Sequence, residues 1–350
     1  MGLVKNSSMV IAGIVMANIL AYIFHIYVGR VLGPADYGTF GALIALYSLL
    51  ALPSGAIGSA ITKFTAQYNS KKDYNKIGNL RKKAGNKALW YSLVLFVLLL
   101  IFSPLIASYF NIPSVTGIII VGFSVILTTS LSINRGILQG MKKFKDYSLN
   151  TIYESIIRLI LVIILLYFGF KSNGAILAYG LAYLIAFALI FPKIKETKYQ
   201  KDENLGLTKI YRFMLIVLIA NLILQGIINL PTIFIKHYAS AEFTGYWNAA
   251  LTLARISLFV TSGIAVAMFP EIAERTNKNE QRRIFRKAIW LTLIASIAIA
   301  LAFLIFGGLA IKILYGSAYL SAIPILDWLG FAMIPLSILQ LWIGYWVAKR

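Results

Sequence analysis

Apolar runs of about 20 residues recur along the whole chain, and this pattern limits the fold more than any other feature. An α-helix needs a run of that length to cross ~30 Å of hydrocarbon. We place ten such spans at residues 8–28, 38–62, 88–109, 114–134, 148–169, 174–192, 212–235, 243–268, 288–311 and 323–347. With 59% hydrophobic and 13% charged residues, most of the surface must face lipid. The sequence predicts an all-α integral membrane protein with about ten transmembrane helices.

The sequence motifs expected of an enzyme are missing. Cysteine is absent, which excludes disulfides, thiol catalysis and thiolate metal sites. Zincin, nucleophile-elbow and P-loop motifs are absent, as is the paired aspartate motif that holds Mg²⁺ in some transferases. We therefore expect no catalytic residue, no metal site and no cofactor.

Lysine and arginine recur between the apolar runs instead of forming one patch. With a cytoplasmic N-terminus, 27 of the 33 cations lie on the inner side, four lie outside (Arg30, Lys171, Lys236 and Lys312) and two lie within spans. This asymmetry predicts a multi-pass protein of the cell membrane with both termini in the cytoplasm. It also explains the net charge of +21 without nucleic acid, since cationic inner loops sit against anionic membrane lipids.

Segments of the chain repeat at an offset of about 200 residues. KALW at 87–90 matches KAIW at 287–290, and ADYGTFGA at 35–42 matches AEFTGYWNA at 241–249 with one insertion. Ser-Gly follows in both copies, at 54–55 and 262–263. Six spans separate the copies, so both run in the same direction, as in a parallel repeat. The repeat predicts a six-helix N-terminal bundle over residues 1–200 and an incomplete, four-helix C-terminal bundle over 205–350, around a central cleft.

Charged groups inside the spans are the first candidates for function, because a charge at mid-bilayer costs at least ~2.5 kcal/mol. On the fifth span, Glu154 and Arg158 are four residues apart, so they share a helix face and can form an ion pair. That pair either locks helix to helix or takes part in binding a substrate or a proton.

Arg255 is an intramembrane cation that we expect to be unpaired, in one stripe with Asn248 and Thr252 on the eighth span. A fixed cation that faces a cavity would attract a phosphate or diphosphate. The alternatives are snorkelling and pairing with a helix carbonyl.

Two further polar stripes lie on spans that are equivalent in the repeat. The seventh span carries Asn221, Gln225 and Asn229, and the first carries Asn18, Tyr22 and His25. Equivalent stripes would meet across one cleft, although Asn and Gln in membrane helices also form interhelical hydrogen bonds. His25 alone is more typical of a packed aromatic residue than of a proton carrier.

The second span contains a candidate hinge at Pro53 and Gly55. Proline removes one backbone hydrogen bond of the helix, and its neighbourhood bends more easily. Kinks without a functional role are also frequent.

Residues 29–38 (GRVLGPADYG) resemble the first outer turn of the polysaccharide flippases, the O-antigen or lipid-linked oligosaccharide branch of the multidrug/oligosaccharidyl-lipid/polysaccharide exporter superfamily. The fifth span at 153–158 (YESIIR) is similar to the Glu-x3-Arg helix of that family. Residues 314–319 (LYGSAY) and 323–326 (IPIL) resemble the outer turn before its tenth helix. The similarity covers nearly the whole chain.

This resemblance implies a MATE-like fold of two bundles that moves a polyprenyl-phosphate- or diphosphate-linked oligosaccharide to the outer leaflet by alternating access, for cell-surface polysaccharide biosynthesis. Arginines in the cleft would hold the phosphate, with Arg255 first and Arg158 second. A cation-coupled multidrug exporter, with Glu154 carrying H⁺ or Na⁺, is the alternative. The missing counterparts of the last two helices suggest a fragment or a non-transporting subunit or scaffold, with glycosyltransferases or a polymerase as partners.

Overall fold

The computed structural model describes residues 2–194, 205, 207–274 and 277–348, and these ranges contain helices and no strand. The α-helices are α1 (Gly2–Leu50), α2 (Leu52–Ser70), α3 (Tyr74–Tyr109), α4 (Thr116–Gly140), α5 (Phe144–Tyr167), α6 (Lys171–Ile190), α7 (Leu207–Tyr238), α8 (Ala241–Glu274), α9 (Lys278–Leu314) and α10 (Ile323–Ala348). Two short 3₁₀ helices lie at Phe191–Ile194 and Ser317–Ala322. Each of the ten predicted spans falls on these helices.

The first helix is broken at Gly33, and the chain turns there. Gly33 has φ 72° and ψ 173°, a conformation open to glycine because it has no Cβ. Pro34 follows and cannot donate a backbone hydrogen bond to the preceding turn. The first two predicted spans therefore lie on either side of Gly33.

Nine helices in the described part of the chain are long and apolar enough to cross a membrane. The first of them, Ala12–Leu50, holds two predicted spans because of the break at Gly33. The more polar α2 continues the second of these spans. The chain is a multi-pass membrane protein.

A second interruption separates α1 from α2 at Ala51, and Pro53 lies in the first turn of α2. The Gly55 amide still donates to the Ala51 carbonyl oxygen over 3.3 Å. The helix is therefore interrupted where the sequence predicts a bend. The hinge role of Pro53 and Gly55 stays a prediction.

Several helices extend beyond the predicted spans into the basic segments that connect them. α3 begins at Tyr74 because Asp73 caps it, accepting a hydrogen bond from the Lys76 amide over 3.1 Å. The Lys76 ammonium lies 2.6 Å from the same carboxylate and, as the main cause, holds the pKa of Asp73 below its usual value. Many of the cations of these basic segments therefore lie on helices and not on loops.

The chain divides into two compact units. The first comprises Met1–Val28 with Thr39–Tyr238, and the second comprises Gly29–Gly38 with Ala239–Arg350. Within the first unit, α4 packs on α2, α3 and α6, while α7 packs on α2. Within the second, α10 packs on α8 and α9. Because α7 is grouped with the first unit, these units differ from the bundles predicted at 1–200 and 205–350, and that bundle division stays a prediction.

The outer turn at 29–38 belongs to the second unit, where close contacts hold it. The Tyr319 hydroxyl donates to the Gly29 carbonyl oxygen over 2.6 Å. A Cβ on Gly38 would lie 2.8 Å from the Gly245 nitrogen, and a Cβ on Gly245 would overlap the Pro34 carbonyl. The glycines of the motif thus allow two chain segments to touch, and Gly38 and Gly245 are the equivalent positions of the predicted repeat.

Candidate functional site

Glu154 on α5 lies between two arginines inside the first unit. Its Oε1 is 3.2 Å from Nη1 of Arg158, one turn along the same helix. Its Oε2 is 3.0 Å from Nη1 of Arg135, near the end of α4. Glu154 and Arg158 are only 5% and 7% exposed. The ion pair predicted from the four-residue spacing is present, and a second arginine joins it.

Asn150, one turn before Glu154, fixes the position of Arg135. The Arg135 Nε donates to the Asn150 side-chain oxygen over 2.8 Å, and Nη2 donates to the Asn150 carbonyl over 3.2 Å. The Asn150 amide in turn donates to the Ala186 carbonyl of α6 over 2.8 Å. Three helices therefore hold one network of hydrogen bonds and ion pairs.

Aromatic rings from α1 and α6 cover Arg158. Its guanidinium carbon lies 4.5 Å from the ring centroid of Tyr179 and 5.6 Å from that of Phe24, close enough for cation–π attraction. The Tyr179 hydroxyl lies 3.4 Å from the His25 Nε2. Further along α6, Tyr183 stacks on the Tyr47 ring at 6.0 Å. His25 is therefore part of this aromatic wall.

The buried cluster of Arg135, Glu154 and Arg158 carries two positive charges and one negative charge. Within the part of the chain that the structure describes, no group accepts a hydrogen bond from the Arg158 Nε, although this atom is buried. A buried donor without an acceptor is costly. An anion that reached Arg158 would supply both the acceptor and the missing negative charge.

In the polar stripe on α7, Asn229 bonds to Gln225 one turn earlier. Asn229 is 1% exposed, and its amide donates to the carbonyl and side-chain oxygens of Gln225 over 2.9 Å each. Asn221 and Gln225 are half-buried. On α1, Asn18 and Tyr22 are also half-buried. A role of these residues in substrate binding stays a prediction.

On α8, the stripe of Asn248 and Thr252 contacts the end of the outer turn. The Thr252 hydroxyl donates to the Asn248 carbonyl over 2.7 Å and lies 3.3 Å from the Tyr37 hydroxyl. The Asn248 amide reaches the Gly38 carbonyl at 3.5 Å. Arg255, three residues later, is half-buried and interacts with neighbouring groups. The role of Arg255 in binding a phosphate stays a prediction.

Comparison with known proteins places the chain in a family. Residues 3–275 match the family described as "Polysaccharide biosynthesis protein". This range covers more than three quarters of the 350 residues and the whole buried cluster. The chain belongs to the polysaccharide biosynthesis protein family. The resemblance inferred from residues 29–38 is confirmed at the family level.

Similar proteins extend this family assignment to the fold. An uncharacterized membrane protein of Methanocaldococcus jannaschii is 27% identical over 297 residues, which are 78% of this chain and 68% of that protein. An inward-facing multidrug resistance MATE family transporter of the MOP superfamily has a TM-score of 0.79 at 13% identity, covering 95% of this chain and 82% of that one. A eukaryotic MATE transporter has a TM-score of 0.73 at 13% identity, covering 99% and 83%. This member of the polysaccharide biosynthesis protein family thus has the MATE-like helical fold that the sequence predicts.

Two cations of this family member, Arg135 and Lys236, have contacts that do not follow from the sequence. Arg135 was counted among the inner cations, yet its side chain is 16% exposed and contacts Glu154. Lys236 was counted among the outer cations, yet it is 4% exposed and donates to the Thr39 hydroxyl over 3.2 Å. In both cases the partner lies on another helix. The spacing of Asn150 and Glu154, four residues apart on one face, is the sequence signal that could have pointed to a shared partner for them.

Proposed function

We propose that this chain is a flippase that moves a polyprenyl-phosphate- or diphosphate-linked oligosaccharide from the cytoplasmic to the outer leaflet by alternating access. The family assignment supports a role in polysaccharide biosynthesis, and the fold is that of MOP-superfamily transporters. The observation that carries the proposal is the net positive cluster around Arg158, buried among membrane-spanning helices. An anionic head group is the ligand that such a cluster favours.

Within this proposal, Arg158 is the residue that holds the phosphate. Glu154 and Asn150 position the arginines, and the Arg158 Nε is left to donate to a new acceptor. The surrounding tyrosines offer hydroxyl groups and flat faces, which suit a sugar next to a phosphate. Arg255 and the stripes on α1, α7 and α8 remain further candidates for contact with the substrate.

The contacts of Glu154 support the flippase proposal over a drug exporter coupled to Na⁺. Both oxygens of Glu154 are engaged, one by each arginine. A Na⁺ ion would therefore have to displace an arginine from this carboxylate and would meet the remaining positive charge. The same cluster that attracts a phosphate repels a coupling cation.

Flipping by the purified chain tests the phosphate-binding role of Arg158. We would follow a fluorescent polyprenyl-diphosphate sugar in vesicles and score its access to an external quencher. The Arg158→Gln variant should flip about tenfold or more slowly, since a hydrogen bond to a charged group contributes about 1.5–3 kcal/mol. Arg30→Gln, an equal charge change at an exposed residue of the outer turn, is the matched control and should flip normally.

Two results would contradict the proposal. Wild-type flipping by Arg158→Gln would exclude this arginine as the phosphate ligand. Absence of flipping by the folded wild-type chain would favour a partner-dependent subunit or scaffold.

A further inference from the structure

An open apolar groove runs between α2, α3 and α7 within the first unit. Its empty volume, which includes the open space at its mouth, is about 460 Å³. Nine of its twelve lining residues are aliphatic or methionine, two are tyrosines, and Lys87 is the single charged residue among those described. The lining of the groove is thus apolar apart from one cation.

Small side chains on one face of α3 create the groove. Leu80, Ala84, Ala88 and Tyr91 line it at helical spacing. The two alanines leave room that larger residues would fill. Tyr91 is 68% exposed, so one side of the groove is open to the surroundings of the protein. In a chain that spans a membrane, that side meets lipid.

At the matching position in the second copy of the repeat, the described residues form a packed cluster. Ala288, the counterpart of Ala88, packs in a cluster with Met268, Ile272 and Leu341. The Phe285 ring stacks on Tyr345 at 4.3 Å and contacts this cluster. The sequence matches over KALW and KAIW, and Ala88 and Ala288 are both buried, at 3% and 5% exposed. Lys287 is therefore a comparable cation at the matching position, beside residues that pack in a cluster.

The positive charge of Lys87 favours an anionic ligand in the groove. Its Nζ lies 5.0 Å from the ring centroid of Tyr211, on the α7 wall of the groove. An ammonium has three donors, so donors remain for a second ligand. On α2, the Lys63 Nζ lies 4.0 Å from the ring centroid of Phe213, which is also on α7. The two lysines favour an anionic group, and the apolar lining of the groove favours a hydrocarbon chain.

We propose that this groove binds an anionic phospholipid, with an acyl chain along the apolar lining and the phosphate at Lys87. Trp90 is 67% exposed next to Lys87, as is typical of aromatic residues at the level of lipid headgroups. The lipid holds α7 against α2 and α3. This site involves neither Arg158 nor Glu154 and does not depend on the flipping proposal.

Native mass spectrometry of the purified full chain tests the site. The probes are phosphatidylglycerol and phosphatidylcholine with identical acyl chains, so only the headgroup differs. Lys87→Gln should weaken phosphatidylglycerol binding about fivefold, as expected for one lysine near an anionic headgroup, and leave phosphatidylcholine unchanged. Ala84→Phe should fill the groove and weaken both lipids. Lys287→Gln, the repeat counterpart beside the packed cluster, should bind like wild type.

Three results would overturn the assignment. Unchanged phosphatidylglycerol binding by Lys87→Gln excludes the headgroup contact. An equal loss in Lys287→Gln shows that surface charge alone attracts the lipid. A dimer that Ala84→Phe dissociates without loss of lipid assigns the groove to a second copy of the chain.

Discussion

At the scale of single residues, the charged cluster depends on Glu154. Each guanidinium removed from water costs several kcal/mol unless a partner compensates it. Glu154 compensates Arg135 with one oxygen and Arg158 with the other. The cluster therefore keeps one excess positive charge, and this single carboxylate is what makes the burial of both arginines tolerable.

Replacement of Glu154 tests this dependence. Glu154→Gln should lower the free energy of unfolding by about 3 kcal/mol or more, because it leaves the buried Arg158 and the half-buried Arg135 without a countercharge. Thermal unfolding in detergent measures the change. Glu242→Gln, at an exposed position in the first turn of α8, is the control and should melt like wild type. The double variant Glu154→Gln/Arg158→Gln should regain part of the lost stability, and a single variant that melts like wild type would contradict the argument.

The sequence predicts only part of this cluster, for a physical reason. Glu154 and Arg158 are four residues apart, so the helix itself brings them together, and their pairing follows from the sequence. Arg135 is 19 residues away on another helix. Its contact depends on how α4 packs on α5. Periodicity within one helix contains no information about that packing.

At the scale of helices, the length of each apolar run predicts where a span lies but does not predict where its helix begins or ends. All ten predicted spans fall on helices because the hydrocarbon core fixes the length of an apolar run. α3 extends 14 residues before its predicted start at 88, since Asp73 caps it at Tyr74. Lysine and arginine favour helices nearly as well as leucine. Charge therefore marks where a helix leaves the membrane and does not mark where it ends.

The close contact between the outer turn and α8 predicts that a larger residue at Gly245 destabilises the protein. Gly245→Ala should lower the free energy of unfolding by about 1–3 kcal/mol, because the new methyl group would overlap the Pro34 carbonyl and backbone would have to move. Gly263→Ala on the same helix is the matched control, with nothing within 4 Å of the added Cβ. It should be neutral or stabilising by about 0.5–1 kcal/mol. Chemical denaturation in detergent compares the two, and equal stability of both variants would refute the close approach.

At the scale of the whole molecule, charge asymmetry is the feature that predicts the orientation of the chain in the membrane. The segment 63–87 carries eight cations, whereas the predicted outer side carries four in total. The cost of moving basic segments across a membrane is what makes such a bias decisive. A chain in the opposite orientation would place 27 of its 33 cations outside. The predicted orientation also decides which leaflet supplies the substrate in the proposed flipping reaction.

The absence of cysteine makes this orientation directly measurable. Ser70 lies at the end of α2 and Ser114 lies before α4, so these two exposed serines are at opposite ends of α3. Replacement of either serine by cysteine changes one atom. A membrane-impermeant maleimide added to intact cells should label Ser114→Cys and not Ser70→Cys. Permeabilised cells should show both thiols labelled, which proves that both are accessible. Labelling of Ser70→Cys in intact cells would place the cationic segment 63–87 outside, and a phosphate-linked substrate would then have to enter from the outer leaflet.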